Sequence, residues 1–430
     1  MSTEITATII LISLFLILIA IRVPIVYSIG FATMITELYL GINLAQMANT
    51  ILSNLNTYTL LAVPFFITMG EVMSAGGITD KLIRLSKELV GWIRGGLAMV
   101  NIVASVFFGG ISGSSSADCA SIGPILIPMM EEDGYDRDFS TCVTMASSVQ
   151  GILIPPSQNM VIFSLAAGGV SIGKLFMAGY IPGIFLAVVL MIYSFYVSKK
   201  KNYPVNGKFN VRRSASAFLD SLWGLGSVLV VVVGVVAGLF TTTESAAVAV
   251  MWSMLVGVFV YKQIKIRDIG RIFGNVVNML GRILILMGTA GSMSWLLTYL
   301  KIPQKLSAAI FNITDNKIII LMCLNLFLLV LGMIIDQASI ILMVTPIILP
   351  IIKSLGMDPV QLGVIMVLNT GIGILTPPVG STLFIGSAVS GVSMERLAKA
   401  MIPFYILMFF VLVLLTYFPG FTMTIPNMIY

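Results

Sequence analysis

No histidine occurs anywhere in this chain of 430 residues. That absence removes His-based metal sites, His general bases and histidine proton relays. Charge is scarce as well. Asp, Glu, Lys and Arg make up 10% of the sequence, against about 25% in a soluble domain. No hydrophilic run is long enough to house a separate soluble domain. The three cysteines, Cys119, Cys142 and Cys323, show no CxxC spacing. An odd count within apolar sequence points to buried thiols, not to a disulfide framework. No GxxxxGK(S/T) run is present, so the chain carries no ATPase of its own. A filter-like backbone motif of the kind that marks a channel is also missing. The net charge of +6 belongs to loops flanking apolar segments and does not signal nucleic acid.

What is present is hydrophobic sequence, 58% of all residues. Apolar stretches of about 20 residues, enough to cross a bilayer, recur from end to end. The first, residues 8–20, has no basic leader and no small-residue cleavage site, and reads as a retained helix. The expected class is an all-α polytopic membrane protein.

Part of the chain is written twice. Residues 109–183 and 331–404 share their punctuation at an offset of 222. Pro124 and Pro128 match Pro346 and Pro350; Gly134 matches Gly356; Pro155-Pro156 matches Pro377-Pro378; Gly169 matches Gly391. Duplicated hydrophobic segments broken by Gly and Pro point to the binding site of a secondary transporter.

Lys and Arg set the orientation. The densest basic loop, Lys199 to Arg213, holds Lys199, Lys200, Lys201, Lys208, Arg212 and Arg213 without an acid, and is placed in the cytoplasm. Counting outward gives spans at 6–21, 24–41 and 57–75, and a cytoplasmic amphipathic arm at 79–95. A re-entrant hairpin at 98–130, a broken helix at 139–167 and a span at 174–197 follow. The second half repeats this upside down: spans at 217–238, 244–261 and 276–298, an external arm at 300–316, a hairpin at 318–352, a broken helix at 360–389 and a last span at 401–419. The halves are 1–197 and 217–430, joined by a basic loop at 198–216, with both termini periplasmic. Eighteen of the 24 basic residues then lie inside. Five (Lys174, Lys301, Lys305, Lys317, Lys353) lie outside, and Arg282 lies in a span.

Hairpin 1 contains Gly109-Gly-Ile-Ser-Gly-Ser-Ser-Ser-Ala-Asp118. Irregular backbone at membrane depth is tolerated only where protein or a wet cavity covers it. Its carbonyls and hydroxyls are hard oxygen ligands, suited to a small cation, and N–H groups at a half-helix start suit a carboxylate. Close packing through small residues is the alternative. The broken helices carry Gln150-Gly-Ile-Leu-Ile-Pro-Pro-Ser-Gln-Asn159 and Thr370-Gly-Ile-Gly-Ile-Leu-Thr-Pro-Pro-Val-Gly-Ser-Thr382. Each proline pair removes donors and breaks the helix; a plain kink is the alternative there. Ionisable residues near membrane depth are Glu71, Asp118, Glu244, Arg282 and Asp336, functional candidates by default. For Glu71, Asp118 and Glu244 a structural role is favoured; for Asp336 the two readings stand level.

Gly109–Asp118, Ile154-Pro-Pro-Ser157, Ala178-Gly-Tyr-Ile-Pro-Gly183, Gly238–Ala249 and Leu375-Thr-Pro-Pro-Val379 together resemble the large membrane subunit of tripartite ATP-independent periplasmic (TRAP) transporters, over nearly the full length. The resemblance implies an inverted-repeat elevator fold and Na⁺-driven import of a small organic acid across the bacterial inner membrane. A C4-dicarboxylate or a sialic acid is the expected substrate, with a lean to sialic acid. It further implies a small four-helix membrane subunit, expected here as a separate chain, and a periplasmic substrate-binding protein. No cofactor is expected beyond Na⁺ as coupling ion, and no enzyme activity. A stand-alone Na⁺/carboxylate symporter, and a membrane enzyme or assembly scaffold, are the competing readings.

The repeat then suggests two cation sites. Position 377 of a helix would bond back to 373, so Pro377 leaves the Gly373 carbonyl without its normal donor. The second site would take Gly332, Gly373, Thr376 and Val379, with Asp336 nearby. Subtracting 222 gives Gly110, Gly151, Ile154 and Ser157 for the first, completed by Ser112, Ser114 and Ser115. The substrate carboxylate would lie between the hairpin tips, near Ser115, Ser116, Asn159, Ser339 and Ser381.

Overall fold

The computed structural model describes residues 3–21, 23–205 and 209–430; Lys208 of the basic loop lies outside them. Helices and turns account for all regular structure among the described residues. Five helices come first: α1 (Thr3–Ala20), α2 (Ile25–Tyr39), α3 (Leu44–Leu55), α4 (Ala62–Ala75) and α5 (Ile78–Val90). Next are α6 (Gly96–Ser112) and α7 (Ser115–Glu132), which form hairpin 1, then α8 (Arg137–Gly151), α9 (Gln158–Ala166) and the long α10 (Ile172–Lys200). The chain continues with α11 (Val211–Val236), α12 (Thr242–Leu255), α13 (Ile266–Tyr299) and α14 (Ile302–Ile313). Hairpin 2 is α15 (Lys317–Gly332) and α16 (Gln337–Ser354), followed by α17 (Pro359–Gly373) and α18 (Ser381–Ser390). Three last helices are α19 (Met394–Ala400), α20 (Ile402–Tyr417) and α21 (Gly420–Ile429).

Six of these segments are long and apolar enough to cross a membrane, or eight if two bent pairs each count as one span. The duplicated residues fall on equivalent elements. Pro124 and Pro128 lie inside α7, Pro346 and Pro350 inside α16. Both proline pairs, Pro155-Pro156 and Pro377-Pro378, are cis and separate α8 from α9 and α17 from α18.

Local chemistry explains the breaks. α6 ends at Gly113, whose φ of 57° is a left-handed turn that glycine adopts without Cβ strain. Ser114 then starts α7 by accepting from the Ala117 N–H. In hairpin 2 Asp336 does the same for α16, accepting from the Ser339 N–H at 3.0 Å.

The broken helices form the axis of the molecule. Every residue from Phe139 to Gly151 is buried, as is every residue from Val360 to Gly373. α8 nevertheless carries Ser140, Thr141, Thr144, Ser147 and Ser148; their hydroxyls donate to carbonyls one turn back, and Thr144, Ser147 and Ser148 also bond side chains of α6 and α7. α1 is the opposite case. Ile5, Ile9, Ile12 and Leu16 are exposed along it, a face for lipid or a partner.

Three elements depart from the sequence reading. α3 occupies residues given to a loop: Asn43 caps it, but Gln46, Asn49, Thr50, Ser53 and Asn54 make it too polar to read as a span. α13 begins ten residues before the expected 276, because Lys265 and Asp268 set its start and Arg267 and Arg271 had masked the helix as loop. α21 follows the last expected span and packs against α10, where Phe421 meets Phe185.

Candidate functional site

Four half-helices begin at one place. A cavity of about 160 Å³ is lined by Gly113, Ser114, Ser115 and Ser116 at the start of α7, and by Gln158 and Asn159 at the start of α9. Asp336, Gln337 and Ala338 at the start of α16, and Ser381 at the start of α18, complete its polar wall. Met279 and Ile283 of α13, with Ile162 and Ile374, close it with apolar surface. Helix starts present unpaired N–H groups and the positive end of the helix dipole, a setting for an anion. Among the described residues no Lys or Arg lines the cavity.

Hydrogen bonds tie the two repeats together at this point. The Ser116 and Thr382 hydroxyls are 3.1 Å apart, and Ser115 pairs with Ser148 at 2.6 Å. The Asn159 amide donates to Gln337 Oε1 at 2.8 Å, and the Gln337 amide donates to the Val367 carbonyl and to Thr370. Of the substrate residues expected from sequence, Ser115, Ser116, Asn159 and Ser381 lie in the wall. Ser339 is buried behind it, bonding Asp336 through both its N–H and its hydroxyl. Sequence reasoning passed over Gln158, Gln337 and Thr382. The available signal was their position: each lies in the first turn of a helix restarting after a break.

The first expected ion position has free oxygens. Pro155 supplies no N–H, and the Gly151 carbonyl accepts no backbone hydrogen bond among the described residues. The Ser157 hydroxyl is fully buried and has no partner among them. Ser112 and Ser114 bond one another across the hairpin turn at 3.4 Å. Gly110 lies against the break, since a Cβ there would sit 3.0 Å from the Pro155 carbonyl. The Ile154 N–H is used in a bond to Gln150.

At the second position one expectation is corrected. The Gly373 carbonyl is not without a donor: the Thr376 N–H reaches it at 2.8 Å, because the chain tightens to a three-residue turn before Pro377. Its second lone pair remains. The Thr376 hydroxyl donates to Ile372 and keeps its own lone pairs for a ligand. The Val379 N–H bonds the Met333 carbonyl at 3.1 Å, fastening the break to the tip of hairpin 2 beside Gly332. Asp336 is used as the cap of α16 and by Ser339.

The repeat register also shifts by one in the first hairpin arm. Gly332 packs Cα-to-Cα against Gly373, and the residue that meets Gly151 in this way is Gly109, not Gly110. A Cβ on Gly109 would overlap Gly151. α6 runs closer to its hairpin turn than α15 does, which a fixed offset cannot express. The other membrane-depth acids are structural: Glu244 closes the capping box of Thr241, and Glu71 accepts from Asn275 at 3.3 Å.

Comparison with known proteins agrees with the resemblance. The family model for the DctM component of tripartite ATP-independent periplasmic transporters matches residues 12–421. The sialic acid TRAP transporter large permease SiaM of Vibrio cholerae is 35% identical over 90% of this chain and 90% of its own. The C4-dicarboxylate large permease DctM of Pseudomonas aeruginosa is 36% identical over 86% of each. The solved structure of the Alcanivorax borkumensis YdaH transporter superposes with a TM-score of 0.65 at 14% identity, covering 88% of this chain and 89% of that one, which bears on fold alone. With the match spanning nearly every described helix, this chain belongs to the family of TRAP transporter large permease subunits and is a multi-pass membrane protein, not an enzyme.

Proposed function

We propose that this chain imports a small organic acid across the bacterial inner membrane, driven by Na⁺ and by an elevator motion of the hairpins and broken helices. A periplasmic binding protein delivers the acid, and a small four-helix subunit braces the scaffold. Both termini lie on the periplasmic side. The observation that carries this reading is the convergence of four helix starts on one hydroxyl-lined cavity without a basic side chain. Such a cavity holds a carboxylate by N–H groups and hydroxyls, and leaves charge balance to co-bound cations.

The cation positions lie beside that cavity. Ser114 and Ser115 belong to both the cavity wall and the first ion position; Asp336 and Ile374 border both the wall and the second. Binding of ion and acid then supports one closed arrangement, which is the basis of coupling. The relatives named for sialic acid and for C4-dicarboxylates bound the substrate class.

The test is uptake into proteoliposomes holding this chain and its small subunit, with binding protein outside. Uptake of one acid from a panel of C4-dicarboxylates and sialic acids is expected with inward Na⁺ and without ATP. Equal uptake driven by a pH gradient in Na⁺-free buffer would overturn the reading. Full transport by the chain alone would favour a stand-alone symporter.

A further inference from the structure

Asp118 is fully buried on the first turn of α7. One oxygen accepts from the Ser105 hydroxyl at 3.3 Å. Behind Ser105 runs a closed chain of polar side chains: Ser147 at 3.0 Å, then Asn101 at 3.4 Å, then Thr144 at 2.7 Å. The other oxygen, Oδ2, has no partner among the described residues. It is aimed at Gly151, where a Cβ would lie 3.2 Å from it. Gly151 is the residue whose carbonyl Pro155 leaves without a donor.

A buried carboxylate needs compensation nearby. The Ser105 hydroxyl and the start of α7 supply part of it, and no ion pair reaches Asp118 among the described residues. α6, α7, α9, α17 and α18 contain no Lys or Arg. α8 has Arg137 alone, at its first residue; it pairs with Glu131 and lies fourteen residues from Gly151, about 21 Å at 1.5 Å per residue.

The duplication sharpens the point. Position 340, the counterpart of Asp118, is the buried Ile340. Hairpin 2 does carry Asp336, but that carboxylate caps α16 and holds Ser339. So a buried carboxyl group without a cationic partner among the described residues stands behind one ion position and not behind the other.

We propose that Asp118 is the counter-charge of the cation held where hairpin 1 meets the first Pro-Pro break, so that the two ion sites bind unequally and this one is the tighter. The inference rests on the two-ion reading above and deepens it. The ion at hairpin 1 binds first, at low Na⁺, and sets the hairpin tip. The ion at hairpin 2 follows at higher Na⁺. Asp118 acts through charge and through Gly151; it is a positioning residue and does not touch the transported acid.

The test uses the purified complex with its small subunit. Na⁺-dependent thermal stabilisation is recorded at constant ionic strength, with choline replacing Na⁺. Two phases are expected in the wild type. Asp118→Asn, close in size and without charge, moves the low-Na⁺ phase to about ten-fold higher Na⁺ or more and leaves the other phase in place. Ser147→Ala disturbs the same polar chain but keeps the charge, and moves neither phase more than about three-fold. If Asp118→Asn does not assemble, Ser157→Ala and Thr376→Ala still assign the phases: the first must move the tight phase, the second the weak one. The proposal falls if Asp118→Asn keeps both wild-type midpoints, or if Ser157→Ala moves the weak phase. A wild-type complex with no Na⁺ response would instead bring down the two-ion reading itself.

Discussion

At the scale of single residues, the breaks are held by atoms that leave little room for change. Gly109 and Gly151 meet backbone to backbone, so Gly109→Ala forces the hairpin arm away from the break. Overpacking of this kind costs about 1–3 kcal/mol. A lowered melting temperature is expected, with a loss of uptake larger than the loss of expression; unchanged uptake would show that the arms need not touch. Thr376→Ala and Ser157→Ala remove one oxygen each from the two ion positions. Each is expected to raise the Na⁺ concentration needed for half-maximal uptake several-fold while expression holds. A wild-type Na⁺ response in both would end the two-site account. The Pro-Pro breaks beside them were legible in the sequence because proline has no N–H and a repeat offset can be counted. The exact partner of Gly151 was not, since one extra residue in α6 changes the glycine that faces it. Nor was the rescue of Gly373 by the Thr376 N–H, which needs the three-residue turn to be seen.

At the scale of elements, the turn between α7 and α8 is clasped by the segment that follows α10. Lys201 pairs with Asp136, the Tyr203 hydroxyl donates to the same carboxylate at 2.7 Å, and the Tyr203 ring stacks on Tyr135 with centroids 4.2 Å apart. The hydrogen bonds from Lys201 and then Tyr203 hold the Asp136 carboxyl below the usual value. Burial pushes the Tyr135 hydroxyl up to about 12. A depressed carboxyl stabilises the fold above its unfolded pKa of about 3.9, and that contribution is lost as pH falls through the lower, folded value. The pair is half-exposed, so Asp136→Asn is expected to cost under about 1 kcal/mol at neutral pH, and nothing once the pH has fallen below the lowered, folded pKa. A thermal-melt series across pH checks this; an equal loss at every pH would mean that charge is not the cause. Hairpins and broken helices were readable as elements because Gly and Pro punctuate them. α3 was not, because tertiary packing against α13, where Asn54 fills the space over Gly291, makes a helix of a segment whose composition suggests a loop.

At the scale of the whole molecule, the buried axis of α8 and α17 contrasts with helices whose apolar sides face outward. Exposed Ile9 and Leu16 on α1 and Phe31 and Leu38 on α2, two helices packed on each other, leave an apolar face that we propose as the docking side of a small subunit. Co-expression with that subunit is expected to raise the melting temperature of the purified chain; equal stability with and without it would count against this face as the docking side. The membrane class and the duplication were plain from composition and spacing, whereas the convergence of four helix starts on one cavity was not, because it depends on how α7, α9, α16 and α18 meet in space. The central claim is that this convergence serves an acid whose charge is balanced by bound Na⁺. Equilibrium binding of radioactive sodium to the purified complex tests it most directly. The account predicts two saturable ions per chain, one lost in Ser157→Ala and the other in Thr376→Ala. No saturable binding, or binding that neither substitution alters, would contradict it.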